Sequence, residues 1–248
     1  MDHRDIALGL AVAWLVALSC GQSALLGADK QESSKTIRFL RVSGSEFVKE
    51  TEIHLVRTQE TFIVTSITQR GEQTLTVTSR FDSKNVLTSA SLTLRQGNRV
   101  QSASVRVTDR TARVLRDGYE TTELACPGGV IVTSAPDWTD SFMAVRRYDP
   151  KGSATQKFPA LWIHPTREPL ELTLELTRLG RDSVTLSNKS ANLDRFLLVL
   201  RGGSRYVVWR NQQGQLVRLV PAMKGGGGIV LTGWELATRD LEPRLSRN

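Results

Sequence analysis

The fold of this chain is decided by residues 72–125, EQTLTVTSRFDSKNVLTSASLTLRQGNRVQSASVRVTDRTARVLRDGYETTELA. Apolar side chains alternate there with Ser, Thr and Arg in three successive runs, at 75–81, 90–95 and 102–108. A period of two sends one set of side chains to a core and the other to water, as in an antiparallel sheet with one solvated face. Glycine-containing joints separate the runs, as tight hairpins require. The stretch predicts a meander of roughly four or five short strands.

The same alternation continues on both sides of the meander. Further strands are predicted at 36–42, 47–57, 61–69, 130–132, 154–163, 170–177, 184–187, 196–200, 206–209, 216–220 and 229–234. Gly180 is expected to turn the chain between two of them. The chain is therefore mainly β. We predict about eleven strands in its sheet, fewer than the segments named here, and strand twist would force a flat sheet of that size to curl or split. We predict one antiparallel, strongly curved sheet resembling a half-barrel, with a two-sheet β-sandwich as the alternative.

One helix is predicted after the meander. Trp138, Phe142 and Val145 recur there at helical spacing. The Asp-Pro pair at 149–150 ends the helix, because proline disfavours helical geometry in the residue before it. We expect this helix to pack into the concave face of the sheet.

Asp137 and Asp140 stand at the predicted start of that helix. Their spacing is close to a capping-box pattern. An acid pair for metal binding or acid–base catalysis is the other interpretation. Capping explains both residues without any chemistry, and the sequence favours it.

No motif in the sequence specifies a reaction. Cys126 precedes a Pro-Gly-Gly turn and has no histidine beside it to act as a base, and His54 has no second ligand at metal-binding spacing. No Gly-x-Ser-x-Gly occurs, and the glycines at 225–228 are not followed by the Lys-Ser/Thr of a phosphate-binding loop. We predict no metal, no cofactor and no catalytic residue. A hydrolase, for which His164 would be the residue to test, is the least favoured function.

The amino-terminal segment predicts export. Residues 6–18 form an apolar run of the length of a signal-peptide core, too short to span a bilayer. Two aspartates and one arginine precede it, which is atypical. The alternatives to cleavage are an uncleaved anchor and lipidation at Cys20, whose preceding residues loosely resemble a lipobox. The predicted organisation is a signal peptide at 1–28, a linker and first strand at 29–45, a single β domain at 46–237 and a disordered tail at 238–248.

The chain is basic, with a formal net charge of +8 and a pI of about 9.9. The meander carries much of this charge, including Arg106, Arg110 and Arg113, which are the candidates for contact with an anionic partner. The alternative interpretation is a solvated face whose charges prevent edge-to-edge aggregation. No aromatic residues are interleaved with these arginines, which argues against nucleic acid as the partner.

Several short motifs resemble a poorly characterised class of bacterial exported proteins. They are PDW at 136–138, RYD at 147–149, and the hairpin of YVVW at 206–209 with GQLV at 214–217. This class is thought to share the curved half-barrel of the periplasmic lipoprotein-localisation factors. The resemblance implies a sheet wrapped around apolar side chains and a helix, and it implies no catalytic residues.

The predicted function is non-catalytic binding of an apolar or anionic amphiphilic ligand, such as a lipid, in the groove of the half-barrel. The candidate lining residues are aromatic: Trp138, Phe142, Trp162, Tyr206 and Trp209. The other interpretation of these aromatics is an ordinary core. The alternative function is a structural or assembly role, in which a sheet edge or the basic face docks another envelope protein or an anionic polymer. The predicted location is periplasmic or extracellular, with membrane association only through an acylated Cys20 or a retained amino-terminal segment.

Overall fold

The computed structural model describes residues 33–43, 46–119, 121–134, 137–223 and 228–245, and in these ranges fifteen strands form one sheet. The first eight strands are β1 (Ser33–Ser43), β2 (Glu46–Arg57), β3 (Thr61–Arg70), β4 (Gln73–Asp82), β5 (Leu87–Gln96), β6 (Arg99–Thr108), β7 (Thr111–Arg116) and β8 (Thr122–Ala125). The other seven are β9 (Ile131–Thr133), β10 (Thr155–His164), β11 (Arg167–Leu186), β12 (Lys189–Val199), β13 (Arg205–Arg210), β14 (Leu216–Pro221) and β15 (Ile229–Leu231). The helix α1 (Thr139–Arg147) lies between β9 and β10, and a short 3-10 turn spans Arg201–Gly203.

The strand order is β8-β7-β6-β5-β4-β3-β2-β1-β15-β14-β13-β12-β11-β10-β9. Neighbouring strands are antiparallel except β9 and β10, which are parallel. The prediction of a mainly β chain with one helix is confirmed, whereas the expected eleven strands are too few and the sheet is mixed. The parallel pair follows from α1, since a helical crossover returns the chain to the sheet in its original direction.

Gly180 does not turn the chain. β11 runs unbroken from Arg167 to Leu186, and its pairing with β12 shifts register between Arg178 and Gly180. The glycine therefore belongs to an irregularity inside one long strand, a common place for glycine in a sheet.

Contacts between distant strands show that the sheet is strongly curved. Arg116 at the end of β7 pairs with Glu168 on β11, with Nη2 and Oε1 2.7 Å apart. The backbone N–H of Ala125 on β8 donates to Glu171 Oε1 at 2.8 Å. β7 and β11 are the second and thirteenth strands of the order, which in a flat sheet would lie about 50 Å apart. The sheet curls until its two ends approach, without closing, and the two-sheet sandwich is not observed.

The helix occupies the concave side. Tyr148, just after α1, packs edge-on against Phe196 of β12 at 4.7 Å, and the guanidinium of Arg147 lies 5.3 Å from the Phe81 ring of β4. These strands are seven positions apart in the sheet, about 35 Å if it were flat. One helix can reach both only because the sheet wraps around it. The main hydrophobic core lies between this helix and the concave face of the sheet.

A second, smaller cluster lies on the convex side. It comprises Leu193, Val207, Trp209 and Val217, with Leu241 packed against it. Thr238, within the tail that the sequence predicts to be disordered, is fully buried, and its N–H donates to the carbonyl of residue 234 at 3.0 Å. The first part of that predicted tail therefore packs on the sheet, because it covers apolar side chains that β12, β13 and β14 present on their outer face.

Candidate functional site

The main candidate site is a cavity of about 410 Å³ at the amino-terminal end of α1, between the helix and the concave face of the sheet. We call it the aromatic cavity. Its lining is Arg70, Thr133, Ser134, Asp137, Trp138, Asp140, Trp162, Arg167, Leu172, Leu174, Leu200, Ser204 and Tyr206. The volume lies within the usual range for small-molecule sites.

Three of the five predicted aromatic residues line this cavity. Trp138 and Tyr206 meet edge-to-face with ring centroids 5.8 Å apart, and Trp162 contributes from β10. Edge-to-face packing holds both rings in defined orientations. The cavity therefore has a rigid aromatic wall.

Phe142 and Trp209 were expected to line the groove but lie elsewhere. Phe142 is 1% exposed and packs edge-on against Phe39 at 6.5 Å, inside the main core. Trp209 belongs to the convex cluster, where its Nε1 donates to Asp182 Oδ2 at 2.7 Å. Tyr206 and Trp209 are three residues apart on one strand, and an odd separation places them on opposite faces of the sheet.

A buried carboxylate orients Trp138. The side chain of Glu50 is 1% exposed, and its Oε1 accepts hydrogen bonds from Trp138 Nε1 at 2.9 Å and from Arg70 Nε at 3.0 Å. Arg41 Nε lies 3.1 Å from the other oxygen. A paired and hydrogen-bonded buried charge of this kind fixes geometry around it. The ion pairs thus hold the indole at the cavity wall.

The sequence gives little signal for Glu50. In the pairing of β1 with β2, Phe39 faces Thr51 and Leu40 faces Lys49, so Glu50 is the extra residue of a bulge. A bulge re-aims a side chain, and here Glu50 and Thr51 are both buried. Strict alternation would bury only one of two successive residues, so a period-two pattern cannot predict that Glu50 is buried beside Thr51.

Asp137 is buried at the base of the cavity and is 6% exposed. Its Oδ1 accepts hydrogen bonds from Ser66 Oγ at 2.8 Å, Thr139 Oγ1 at 2.9 Å and Thr139 N at 3.2 Å. Burial, and secondarily the neighbouring Asp140 carboxylate, raises the pKa of Asp137 to about 6. Its second oxygen, Oδ2, has no hydrogen-bond partner among the described residues.

Asp140 is equally buried and lines the same cavity. It accepts hydrogen bonds from Thr133 Oγ1 at 2.8 Å and from Ser141 Oγ at 3.0 Å, and burial raises its pKa. Ser134, also in the lining and 2% exposed, has an Oγ without a hydrogen-bond partner in the described ranges. Buried polar atoms are nearly always satisfied, so two unsatisfied atoms on residues that line one cavity are unusual.

The predicted capping role is also visible in the structure. α1 begins at Thr139, two residues after Asp137, and the N-cap residue Trp138 makes no side-chain capping bond. Asp137 Oδ1 accepts the N–H of the first helical residue instead, and Asp140 lies in the first turn, where the helix dipole favours negative charge. The two aspartates therefore support the helix start while lining a cavity.

Two arginines stand at the cavity. The Arg70 side chain is 38% exposed and pairs with Glu50. Arg167, the first residue of β11, is exposed and forms no salt bridge with any residue that the structure describes. The Arg70 guanidinium lies over the Trp138 ring, 5.8 Å from its centroid. A ligand at this site would therefore meet apolar rings and leucines together with positive charge and buried carboxyl groups.

The predicted basic face lies elsewhere, on the convex side of the meander. Arg106 and Arg113 are exposed and face each other across β6 and β7. Arg113 Nε is 2.7 Å from Glu123 Oε1, so part of this charge is already paired. Arg110 lies in the β6–β7 turn with a left-handed φ of 63° and is exposed there. The three arginines thus do not form one continuous sheet face.

The remaining reactive residues show no catalytic grouping. Cys126 is a buried free thiol whose pKa is raised by burial, which makes it a poor nucleophile. His164 stacks on Trp162 at 5.6 Å, and burial lowers its pKa. In the described ranges, no group of three or more His, Cys, Asp or Glu side chains could hold a metal ion. No helix there is long and apolar enough to cross a membrane, and Cys20 lies outside the described residues.

Comparison with known proteins gives only distant likeness. No family model matches the chain, and no curated protein matches it. A DUF1089 family protein from Pseudomonas aeruginosa superposes with a TM-score of 0.44 and 14% identity, over 71% of this chain and 92% of that chain. A β-barrel-like protein of the domain of unknown function DUF1849 from Brucella abortus gives a TM-score of 0.48 and 7% identity, over 80% and 93%.

Proposed function

We propose that this chain is an exported cell-envelope protein that binds a small amphiphile, without catalysis, in the aromatic cavity. The observation that carries the proposal is the mixed apolar and charged lining of that cavity. Trp138, Trp162 and Tyr206, with the neighbouring leucines, offer an apolar surface, and Arg70 and Arg167 offer positive charge. An amphiphile combines these two requirements in one molecule.

The apolar part of the ligand would lie against the aromatic wall. Trp138 is held by Glu50 and packed against Tyr206 before any ligand arrives. Little side-chain freedom is then lost on binding, which favours affinity. Leu172, Leu174 and Leu200 extend the same surface.

The head group would lie between the arginines and the buried carboxyl groups. Arg167 makes no salt bridge within the described ranges and is available to an anionic group. Asp137 Oδ2 and Ser134 Oγ both lack a partner there, and satisfying them stabilises a complex. The head group should therefore carry a hydrogen-bond donor beside its negative charge.

Export is proposed on the apolar run at residues 6–18 and the polar residues after it. The resemblance to the class with a fold like that of lipoprotein-localisation factors is consistent with binding of a lipid or acyl chain. Mass spectrometry of the mature protein should find an amino terminus between residues 20 and 29. Intact Met1 in a cytoplasmic fraction would contradict export.

Ligand binding is tested by native mass spectrometry of the purified protein and by melting curves with added short-chain amphiphiles. 3-Hydroxylaurate, which adds a hydroxyl donor near the carboxylate and carries no phosphoryl group, should raise the melting temperature more than laurate, which has no such donor. Trp138→Ala should abolish the rise, and Trp234→Ala, which removes an indole packed on the convex cluster, should leave it intact. If no bound amphiphile is found and neither compound shifts the melting temperature, the proposal is wrong.

Acid catalysis is the second candidate, favoured by one observation. Asp137 combines a pKa of about 6, an unpartnered oxygen and a place in the cavity lining, and a carboxyl group of this kind can act as a general acid near neutral pH. A screen of esters, glycosides and phosphoesters would favour this reading if turnover were found and were lost in Asp137→Asn.

Docking of another envelope protein or an anionic polymer is the remaining proposal. It would use the exposed Arg106 and Arg113 on the convex face. Exposed charge contacts weaken with salt. Charge reversal at both positions should release an envelope partner, and a complex that survives the reversal would count against this surface.

A further inference from the structure

A second cavity, of about 480 Å³, lies at the opposite end of α1. We call it the basic pocket. Four of its lining residues are cations: Arg57 from β2, Lys84 from the β4–β5 turn, and Arg146 and Arg147 from the last turn of the helix. The rest of the lining is Phe62, Asn85, Gly128, Gly129, Met143, Phe158 and Pro159. No carboxylate is among these residues.

None of the four cations is neutralised within the described ranges. No salt bridge there includes Arg57, Lys84, Arg146 or Arg147. The hydrogen bonds that two of them make go to neutral oxygens. Arg57 Nη2 donates to Asn85 Oδ1 at 3.4 Å, and Arg147 Nη1 donates to the carbonyl of Gly129. The positive charge of the pocket therefore has no acidic partner among the residues that the structure describes.

Aromatic rings hold the guanidinium groups in place. Arg57 and Arg146 both lie over the Phe62 ring, at 5.0 and 5.7 Å from its centroid. Arg147 lies over Phe81 at 5.3 Å. Such contacts restrict flexible side chains and leave the edges of the guanidinium groups free to donate. The pocket is thus organised before it meets a ligand.

The helix end accounts for only half of this charge. The carboxyl end of a helix attracts cations, which explains Arg146 and Arg147. It does not explain why the sheet brings Arg57 and Lys84 to the same place. Placing these cations together is unfavourable. Burial lowers the pKa of Arg146, and repulsion from the nearby Arg57 charge lowers it further. A binding site for an anion would account for all four residues.

From this juxtaposition we infer that the basic pocket binds an anion bearing a phosphoryl group. Guanidinium groups match the geometry of phosphate oxygens with paired hydrogen bonds. Four positive charges call for more than one negative charge, which favours a phosphate monoester or a diphosphate over a single carboxylate. The group could arrive on a soluble molecule or on a lipid head group. This site is separate from the aromatic cavity and does not depend on the function proposed for it.

The test uses the mature protein and inorganic pyrophosphate, which has no apolar part for the aromatic cavity. Calorimetric titration at low salt should give saturable binding that weakens as salt is added. The pair Arg57→Gln and Arg146→Gln should lower affinity about tenfold or more, because each loses charge-assisted hydrogen bonds. The pair Arg106→Gln and Arg113→Gln removes the same charge from the convex face and should bind like the wild type.

A second arm distinguishes the source of the phosphoryl group. Vesicles of phosphatidylcholine with and without phosphatidic acid are sedimented with the protein, again with both variant pairs and with Trp138→Ala. Retention that requires phosphatidic acid and the basic pocket, but not Trp138, indicates a lipid head group. Binding of pyrophosphate without such retention indicates a soluble ligand.

The single variant Lys84→Gln, in an exposed turn, covers the case in which the double variant does not fold. It should still weaken pyrophosphate binding several-fold. The inference is overturned if neither pyrophosphate nor phosphatidic acid vesicles bind, or if the basic-pocket variants bind as well as the convex-face control.

Discussion

Replacing Asp137 with Asn should change how the stability of this protein depends on pH. The folded-state pKa of Asp137 is raised from 3.8 to about 6, so the folded protein holds this proton more tightly than the unfolded chain does. The stability contributed by the neutral carboxyl group is fully present below pH 4 and is lost as the pH rises towards 6. Each unit of pKa shift corresponds to about 1.4 kcal/mol, so the complete loss of this stabilisation amounts to roughly 3 kcal/mol.

The variant cannot lose that proton. Its amide oxygen can still accept the hydrogen bonds from Ser66 and Thr139, while its NH₂ group takes the position of Oδ2, which has no partner among the described residues. That unsatisfied amide costs about 1–3 kcal/mol at every pH. The useful quantity is therefore the difference in free energy of unfolding, variant minus wild type, which should rise by about 2.5 kcal/mol between pH 4 and pH 7.

Urea denaturation followed by circular dichroism at four pH values between 4 and 7 measures this difference. Asp109→Asn is the matched control, since it removes an exposed carboxylate from the β6–β7 turn, where solvent screens its interactions. A variant-minus-wild-type difference that stays constant with pH, or that falls as the pH rises, would refute the account of Asp137 as a buried, destabilised carboxylate.

Two further substitutions test the fold. Gly228→Ala should destabilise the protein by about 2 kcal/mol or more, because the added Cβ would lie 2.1 Å from the backbone oxygen of Leu219. Its control is Gly128→Ala, which should be nearly neutral because the added Cβ meets nothing within 4 Å. Equal melting temperatures for the two variants would contradict this expectation. Glu50→Gln should destabilise by about 3 kcal/mol in urea and change the tryptophan fluorescence, because buried ion pairs lose their anion. Glu52→Gln, on the same strand but in a more exposed set of ion pairs, is its control, and an equal loss in both would argue against the orienting role of Glu50.

The meander and the helix could be predicted because their patterns are local. Alternation around Leu75, Val77 and Phe81 requires only that one face of the sheet be buried, and all three are. The parallel pair of β9 and β10 was equally accessible, since a strand, a helix and a strand in succession form a crossover unit. Even the three-residue β9 was visible, as the apolar segment at 130–132. The error lay in the total of about eleven strands, which was smaller than the number of segments that showed a strand pattern.

The candidate site was only partly predictable. Tyr206 and Trp209 could have been separated from the start, because residues three apart on a strand point to opposite faces. Glu50 could not be found, since its inward direction comes from a bulge set by the pairing of two strands. The aspartates at 137 and 140 were visible, but the burial that perturbs them comes from strands distant in sequence, including Ser66 on β3. The basic pocket could not be predicted for the same reason. Its residues come from distant parts of the chain, since the meander lies between Arg57 and Arg146 in the sequence.

The order in which this protein can fold follows from the place of β1. Phe39 on β1 pairs with Leu231 on β15, so the strand near one end of the described chain meets the strand near the other in the middle of the sheet. The two flanking meanders can form from contacts close in sequence, whereas this seam must await the synthesis of β15, which follows every other strand of the described sheet. Until it closes, β1 and β15 each present an unpaired edge, and such edges are templates for intermolecular pairing. A nascent chain that stops before residue 229 is thus a candidate client for chaperones, although every strand of its first meander is already in place.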